Sequence, residues 1–138
     1  MSLNNIFNIA GSGMSAQTVR LNTTASNIAN AENISGDKDT VYKSKHPLFT
    51  ASLESAHGNM SGLSGVKVTE IIESSKPVQK RYEPSNSIAD KDGYVYMTNV
   101  NLVEEMANMI AASRAYQNNV EVMSTAKQML MSTLKLGQ

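Results

Sequence analysis

Few side chains in this sequence have the chemistry for catalysis or metal binding, and their spacing argues against both. Cysteine is absent, which removes thiolate nucleophiles, thiolate zinc sites and disulfides. His46 stands beside Pro47 and His57 beside Gly58, with no nucleophile elbow, H-E-x-x-H or paired acids around them. Both therefore read as solvated loop histidines. Gly11-Ser-Gly13-Met-Ser-Ala16 matches the glycine pattern that cradles a pyrophosphate, with Glu32 at roughly the distance of a ribose-binding acid. That chemistry needs a strand ahead of the glycines, and residues 3–10 carry a helical pattern instead. The glycines are expected to permit close helix contact or a bend. Asp90-Lys-Asp92-Gly93 matches a fragment of a calcium loop. Aligning Gly93 with the turn glycine puts Ile88 and Asn99 at the first and twelfth ligand positions, and neither can serve there. A hairpin turn is the expectation. Asn22-Thr-Thr24, Asn33-Ile-Ser35 and Asn59-Met-Ser61 fit the glycosylation triplet, which is common by chance. No catalytic residue, metal ligand or cofactor follows from these patterns.

Composition points the same way. The chain has 138 residues, with 12 basic and 12 acidic side chains and no formal net charge. A neutral chain whose basic residues are scattered, with no run forming a patch, lacks the grip on phosphate that nucleic-acid binding needs. Two Phe, five Tyr and no Trp offer few anchors for a large core, whereas nine Met suit adaptable packing surfaces. A packing or assembly protein fits better than an enzyme. No stretch of about 20 apolar residues predicts a membrane span. No Lys or Arg precedes Arg20, and Asn4, Asn5 and Asn8 interrupt the apolar run that a signal peptide needs. These features alone predict a cytoplasmic protein, with export by another route left open by the absence of cysteine.

The elements follow from periodicity. Residues 1–33 place Leu3, Phe7, Ala10, Met14, Gln17, Leu21, Thr24, Ile28 and Ala31 at alternating steps of four and three, a helical stripe in heptad register. Ser2 is a candidate cap and Gly36 lies just past the end. Gly11 and Gly13 each cost about 1 kcal/mol relative to Ala, so this helix needs a partner. Residues 101–138 carry a second stripe: Leu102, Met106, Met109, Ser113, Tyr116, Val120, Met123, Lys127, Leu130 and Leu134. Asn101 and Glu104 form a variant capping box, Glu105 complements the helix dipole, and Lys135 and Gly137 mark the end. Residues 34–100 change period. Val66–Ile72, Val78–Tyr82 and Tyr94–Met97 have strand content. Val41–Phe49 reads as extended with Pro47 at an edge, and His57–Gly65 as a mobile loop. The fold class is α+β: long N- and C-terminal helices, a coiled-coil-like pair, flanking a small β-rich middle region.

The two stripes could bury each other as an ordinary intramolecular core. Against that stands their length, since such rods present more apolar surface than one neighbour covers. Met106, Met109, Met123, Met129 and Met131 also fit packing against several dissimilar neighbours. Polar residues on the stripes could fix axial register at a cost in stability.

Longer strings now carry a resemblance. Asn4-Asn-Ile-Phe7, Ile9-Ala-Gly-Ser12 and Ser26-Asn27-Ile28-Ala29-Asn30-Ala31 resemble the N-terminal signature of flagellar axial proteins. Asn99 through Met106, Ala112 through Tyr116, Asn119 through Val122, Thr125 through Met129 and Leu134 through Gln138 are similar to the flagellar basal-body rod family, nearest its proximal rod type. Tyr82-Glu-Pro84, Ala89-Asp90 and Gly93-Tyr-Val95 match its middle segment. The family usually has Gly and Pro where Ser85 and Ser87 stand, and Pro in place of Thr98, so a looser lead into the last helix is expected.

The resemblance implies a non-enzymatic rod subunit that joins other rod proteins and copies of itself through both helical stripes. It implies export through the flagellar type III apparatus without a cleaved signal, and neither nucleic-acid binding nor direct membrane insertion. Another axial component, from the distal rod or hook, is the nearer alternative, and a small nucleotide-binding domain the more remote one.

Overall fold

The computed structural model describes residues 3–53 and 63–136. His57, the Asn59-Met-Ser61 triplet, Ser2 and Gly137 lie outside the described residues, as does most of the Gly- and Ser-rich stretch. The elements run α1 (Leu3–Ala29), β1 (Ile34–Ser35), β2 (Lys45–Leu53), β3 (Leu63–Glu73), β4 (Gln79–Tyr82), β5 (Tyr94–Met97) and α2 (Leu102–Leu136). Two long helices thus flank a small antiparallel β region, the α+β arrangement read from the sequence. Strand β1, only two residues long, has no sequence signature of its own.

Each helix is set by local chemistry. The Asn101 side-chain oxygen accepts the N–H of Val103 at 3.1 Å and of Glu104 at 3.3 Å, capping α2. In α1, Thr18 and Thr23 turn their hydroxyls back to the carbonyls of Met14 and Val19. Polar residues on that helix thereby satisfy themselves within it. At 1.5 Å per residue, the 35 residues of α2 make a rod of about 50 Å.

The helices pair antiparallel. Asn27 meets Glu105, Arg20 meets Asn108, and Gly11 faces Met123. A Cβ on Gly13 would stand 3.0 Å from the Asn119 side chain, so this glycine does allow close helix approach. Gly11 leaves more room, with its nearest neighbour, Met123 Cε, at 3.8 Å. The helix continues through both positions, and among the described residues no strand precedes them. The buried residues of the two helices are small or polar: Ala10, Ala16, Thr23, Thr24 and Asn27 on α1, and Glu105, Ala112 and Ala126 on α2.

The middle region forms two sheets. One has the order β1-β5-β4, with Ile34 opposite Met97 and Lys80 opposite Tyr96. Val95 at its centre is fully buried. The other is the β2–β3 ribbon, where Pro47 pairs with Ile71. Each strand of a two-stranded ribbon is an edge, which tolerates the missing proline N–H. His46 stands opposite Ile72 in this ribbon and is half-buried, which corrects its reading as a solvated loop residue. The ribbon lies along α1, where the Ser12 hydroxyl oxygen accepts the N–H of Val66 at 3.1 Å.

The Asp90 segment is a turn, as expected. One carboxylate oxygen accepts the N–H groups of Asp92 and Tyr94 at 3.0 and 2.8 Å, and the other accepts the Tyr96 hydroxyl at 3.2 Å. Gly93 takes φ +80°, the left-handed conformation that glycine adopts freely. The Tyr94 N–H, followed by those hydrogen bonds from Asp92, Tyr96 and Gly93, holds the Asp90 carboxyl below its ordinary 3.8.

Candidate assembly interface

The helix ends nearest the β region meet at Asn27, which is fully buried. Its amide nitrogen donates to the Lys45 carbonyl at 2.8 Å and to the Glu105 carboxylate at 2.9 Å. Its oxygen accepts the Tyr42 hydroxyl and the Lys45 N–H, both at 2.9 Å. Two donors and two acceptor lone pairs are all an amide side chain has, so every one is used. Four segments are tied by one side chain: α1, the 41–44 lead-in, β2 and α2. Burial, with the negative charges of Glu105 and Glu73 adding, pushes the Tyr42 phenol up despite a hydrogen bond from Ser26.

Two of the sequence expectations change at this end. Glu105 does more than complement the dipole of α2, because it is buried against α1 as the partner of Asn27. Thr98 does not loosen the lead into α2. It is buried, and its hydroxyl donates to the Ala31 carbonyl at 3.0 Å, fastening the end of α1 to the start of α2. Asn99 adds a second fastening, accepting the Ser44 N–H at 2.7 Å and donating to the Lys76 carbonyl at 2.7 Å.

The stripe residues divide by exposure. Leu3 opens α1, and Phe7, Met14, Leu21 and Ile28 are half-buried along it. Within the signature, Asn27 is the buried hub and Asn30 donates to the Ser26 carbonyl at 2.8 Å, while Ser26 and Ala29 face solvent. On α2, Met109, Tyr116 and Met123 are half-buried, whereas Leu102, Met106, Val120, Leu130 and Leu134 are exposed. The second row of the α2 seam is Glu105, Ala112, Asn119 and Ala126, one position before Met106, Ser113, Val120 and Lys127. A stripe chosen for apolar size misses this row, because a close-packed seam favours small residues.

Large apolar groups consequently face outward on α2. Val103 is 76% exposed, Ile110 54% and Leu134 60%. Counted from the Gly11–Met123 contact, Leu3 lies opposite Met131, so residues 132–136 run about 8 Å past the described part of α1. Leu130 continues the row of Met109, Tyr116 and Met123, and Leu134, 60% exposed, stands beyond the described start of α1. Ile6, Val122 and Met129 line a shallow apolar hollow on another flank.

The basic residues also depart from their linear pattern. Lys38, Lys43, Lys76 and Lys80 are scattered along the chain, yet all four line one cleft. This convergence is produced by loop topology, which linear spacing cannot show. Among the described residues, no group of three or more His, Cys, Asp or Glu side chains could hold a metal ion, and no helix is long and apolar enough to cross a membrane.

Comparison with known proteins gives these surfaces a context. Residues 7–32 match the family described as flagella basal body rod protein, and residues 91–136 match the flagellar basal body rod FlgEFG protein C-terminal family. The flagellar basal-body rod protein FlgC of Salmonella typhimurium is 49% identical over 138 residues, all of both chains. Those of Escherichia coli O157:H7 and Yersinia enterocolitica are 49% and 46% identical, again over the full length of each. The two family matches fall on α1 and on the β5–α2 segment, the elements that build the hub and the outward apolar faces. By these full-length identities, the chain belongs to the FlgC family of flagellar basal-body rod proteins.

Proposed function

We propose that the chain is a structural subunit of the proximal part of the bacterial flagellar rod, the shaft that transmits torque. The observation that carries this is the 49% identity, over all of both chains, to the flagellar basal-body rod protein of Salmonella typhimurium. Its work is mechanical. The Asn27 hub fixes the angle between the helices and the β region, so a load on one element is passed to the others. The outward apolar residues of α2 and the α1 stripe then serve neighbouring rod proteins and further copies. Head-to-tail contacts whose rotation does not close produce a helical tube. Delivery goes through the flagellar type III export apparatus without a cleaved signal, and neither nucleic acid nor direct membrane insertion has a part.

The pair Leu130→Asp and Leu134→Asp tests the interface. Both side chains are exposed in the isolated chain, at 37% and 60%, so monomer melting should move little. In the assembled rod each would place an unpaired charge in a contact, costing several kcal/mol. Swimming and rod completion should fail while the exported amount stays near normal. Complete rods with normal swimming would remove the α2 tail from the interface, and loss of export would assign it to the export step instead.

A further inference from the structure

The lysine cleft has no role in the helix contacts. It lies on the face of the β1-β5-β4 sheet that carries Lys80 and Tyr96, between the 36–44 and 74–78 loops. Its volume is about 490 Å³, within the range of built binding sites. No carboxylate lines it. Lys76 reaches Glu104 at 3.6 Å on the rim, and Lys80 lies 5.0 Å from the Tyr94 ring centroid. Lys38 and Lys43 have no ion pair among the described residues. A third of the 12 basic residues of a neutral chain thus converge on one concavity, three of the four without an ion pair among the described residues. Four like charges this close repel one another, and an anion placed among them relieves that repulsion.

We propose that this cleft docks an acidic, extended segment of a partner protein, an interaction separate from the helix faces and independent of the rod assignment. Three features favour a peptide over a phosphate group. No arginine fork and no helix N-terminus lines the cleft, so the bidentate geometry best suited to phosphate is missing. Pro77, Val78 and the Tyr96 ring supply apolar wall, which a peptide uses and a free anion does not. Strand β4, which carries Lys80, is the outer strand of its sheet, paired only with β5. Its free edge offers main-chain hydrogen bonds to an extended chain, while alternate acidic side chains reach the lysines.

The test uses the full-length, isotope-labelled chain titrated with a short synthetic peptide alternating Glu and Val. Amide shifts should be saturable and centred on residues 38–43, 74–80 and 96, and affinity should fall steeply with added salt. Lys38→Gln with Lys43→Gln, both away from the hub's hydrogen bonds, should weaken binding about tenfold. Lys127→Gln with Lys135→Gln, on the far part of α2, should change it less than about twofold. Equal losses from the two pairs would overturn the proposal by showing non-specific attraction. It would also fail if inorganic phosphate alone, or phosphatidylglycerol vesicles, produced the same shifts at comparable concentration. Absence of saturable shifts, with increased self-association of the Lys38→Gln and Lys43→Gln variant, would show that the lysines only guard the open edge of β4.

Discussion

The two ends of the helical pair are built on opposite plans. At the end beside the β region, Asn27, Glu105, Thr98 and Asn99 fasten the segments together through buried or half-buried hydrogen bonds. At the other end, α2 carries Met131 and Leu134 into solvent, and its last turn runs past the described start of α1. A polar network is directional and specifies one geometry, whereas an apolar face accepts many neighbours. The difference assigns shape to one end and association to the other.

The largest effect should come from breaking the tied end. Asn27→Leu removes four hydrogen bonds and leaves the buried Glu105 carboxylate with only a long hydrogen bond, 3.5 Å, from the Asn108 amide. Losing one member of such a buried set costs about 3–5 kcal/mol. Thermal unfolding of the isolated chain should show a large drop in Tm, far beyond that of the Leu130 and Leu134 variants. Similar small shifts at both ends would erase the contrast.

The sequence disclosed this contrast unevenly. Helix existence, the α2 cap and the Asp90 turn are local events, set by residues within four positions of one another, and all were readable. The Ser-Asn-Ile-Ala-Asn string was visible as a pattern, but its reason was not, because Asn27 acts through Lys45, Tyr42 and Glu105, which are distant in sequence. The second row of the α2 seam escaped for a different reason. Hydrophobic periodicity finds large side chains, and here the closest helix contact uses Ala112, Ala126 and Asn119 while Met106 and Val120 stay outside. The lysine cleft is assembled by loop closure, which leaves no periodic trace.

A smaller effect, of opposite sign, is expected between the two ends. The Gln17 side-chain oxygen is buried and makes no hydrogen bond among the described residues. Such an unsatisfied group costs about 1–3 kcal/mol. Gln17→Leu, similar in size, should therefore raise the Tm of the isolated chain, by an amount worth about 1 kcal/mol. If the glutamine oxygen meets a partner only after association, the same variant should stabilise the monomer and weaken assembly. A variant that lowers monomer stability would show that the oxygen is satisfied in solution.

The smallest effect should come from acid. Asp90 and Glu83 both have carboxyls held below their ordinary values, Asp90 chiefly by the Tyr94 N–H and Glu83 chiefly by the Asn86 side chain. A carboxyl with a lowered folded-state pKa stabilises the fold above its unfolded value, and that contribution disappears as pH falls through the folded one. For Asp90 the decline begins near the ordinary 3.8 and continues below it. Asp90→Asn keeps an oxygen for the Asp92 and Tyr94 N–H groups while removing the charge. The variant should unfold slightly more easily at neutral pH, and its Tm should fall less steeply than that of the parent between about pH 4 and pH 2. Both groups sit in the β region, whereas α2 beyond Met129 carries no Asp or Glu. Acid should therefore loosen the β4–β5 turn without altering the apolar tail, and amide exchange measured across the same range would show protection lost first around residues 83–94. Parallel Tm curves for parent and variant would mean that the Asp90 turn contributes nothing that acid can remove.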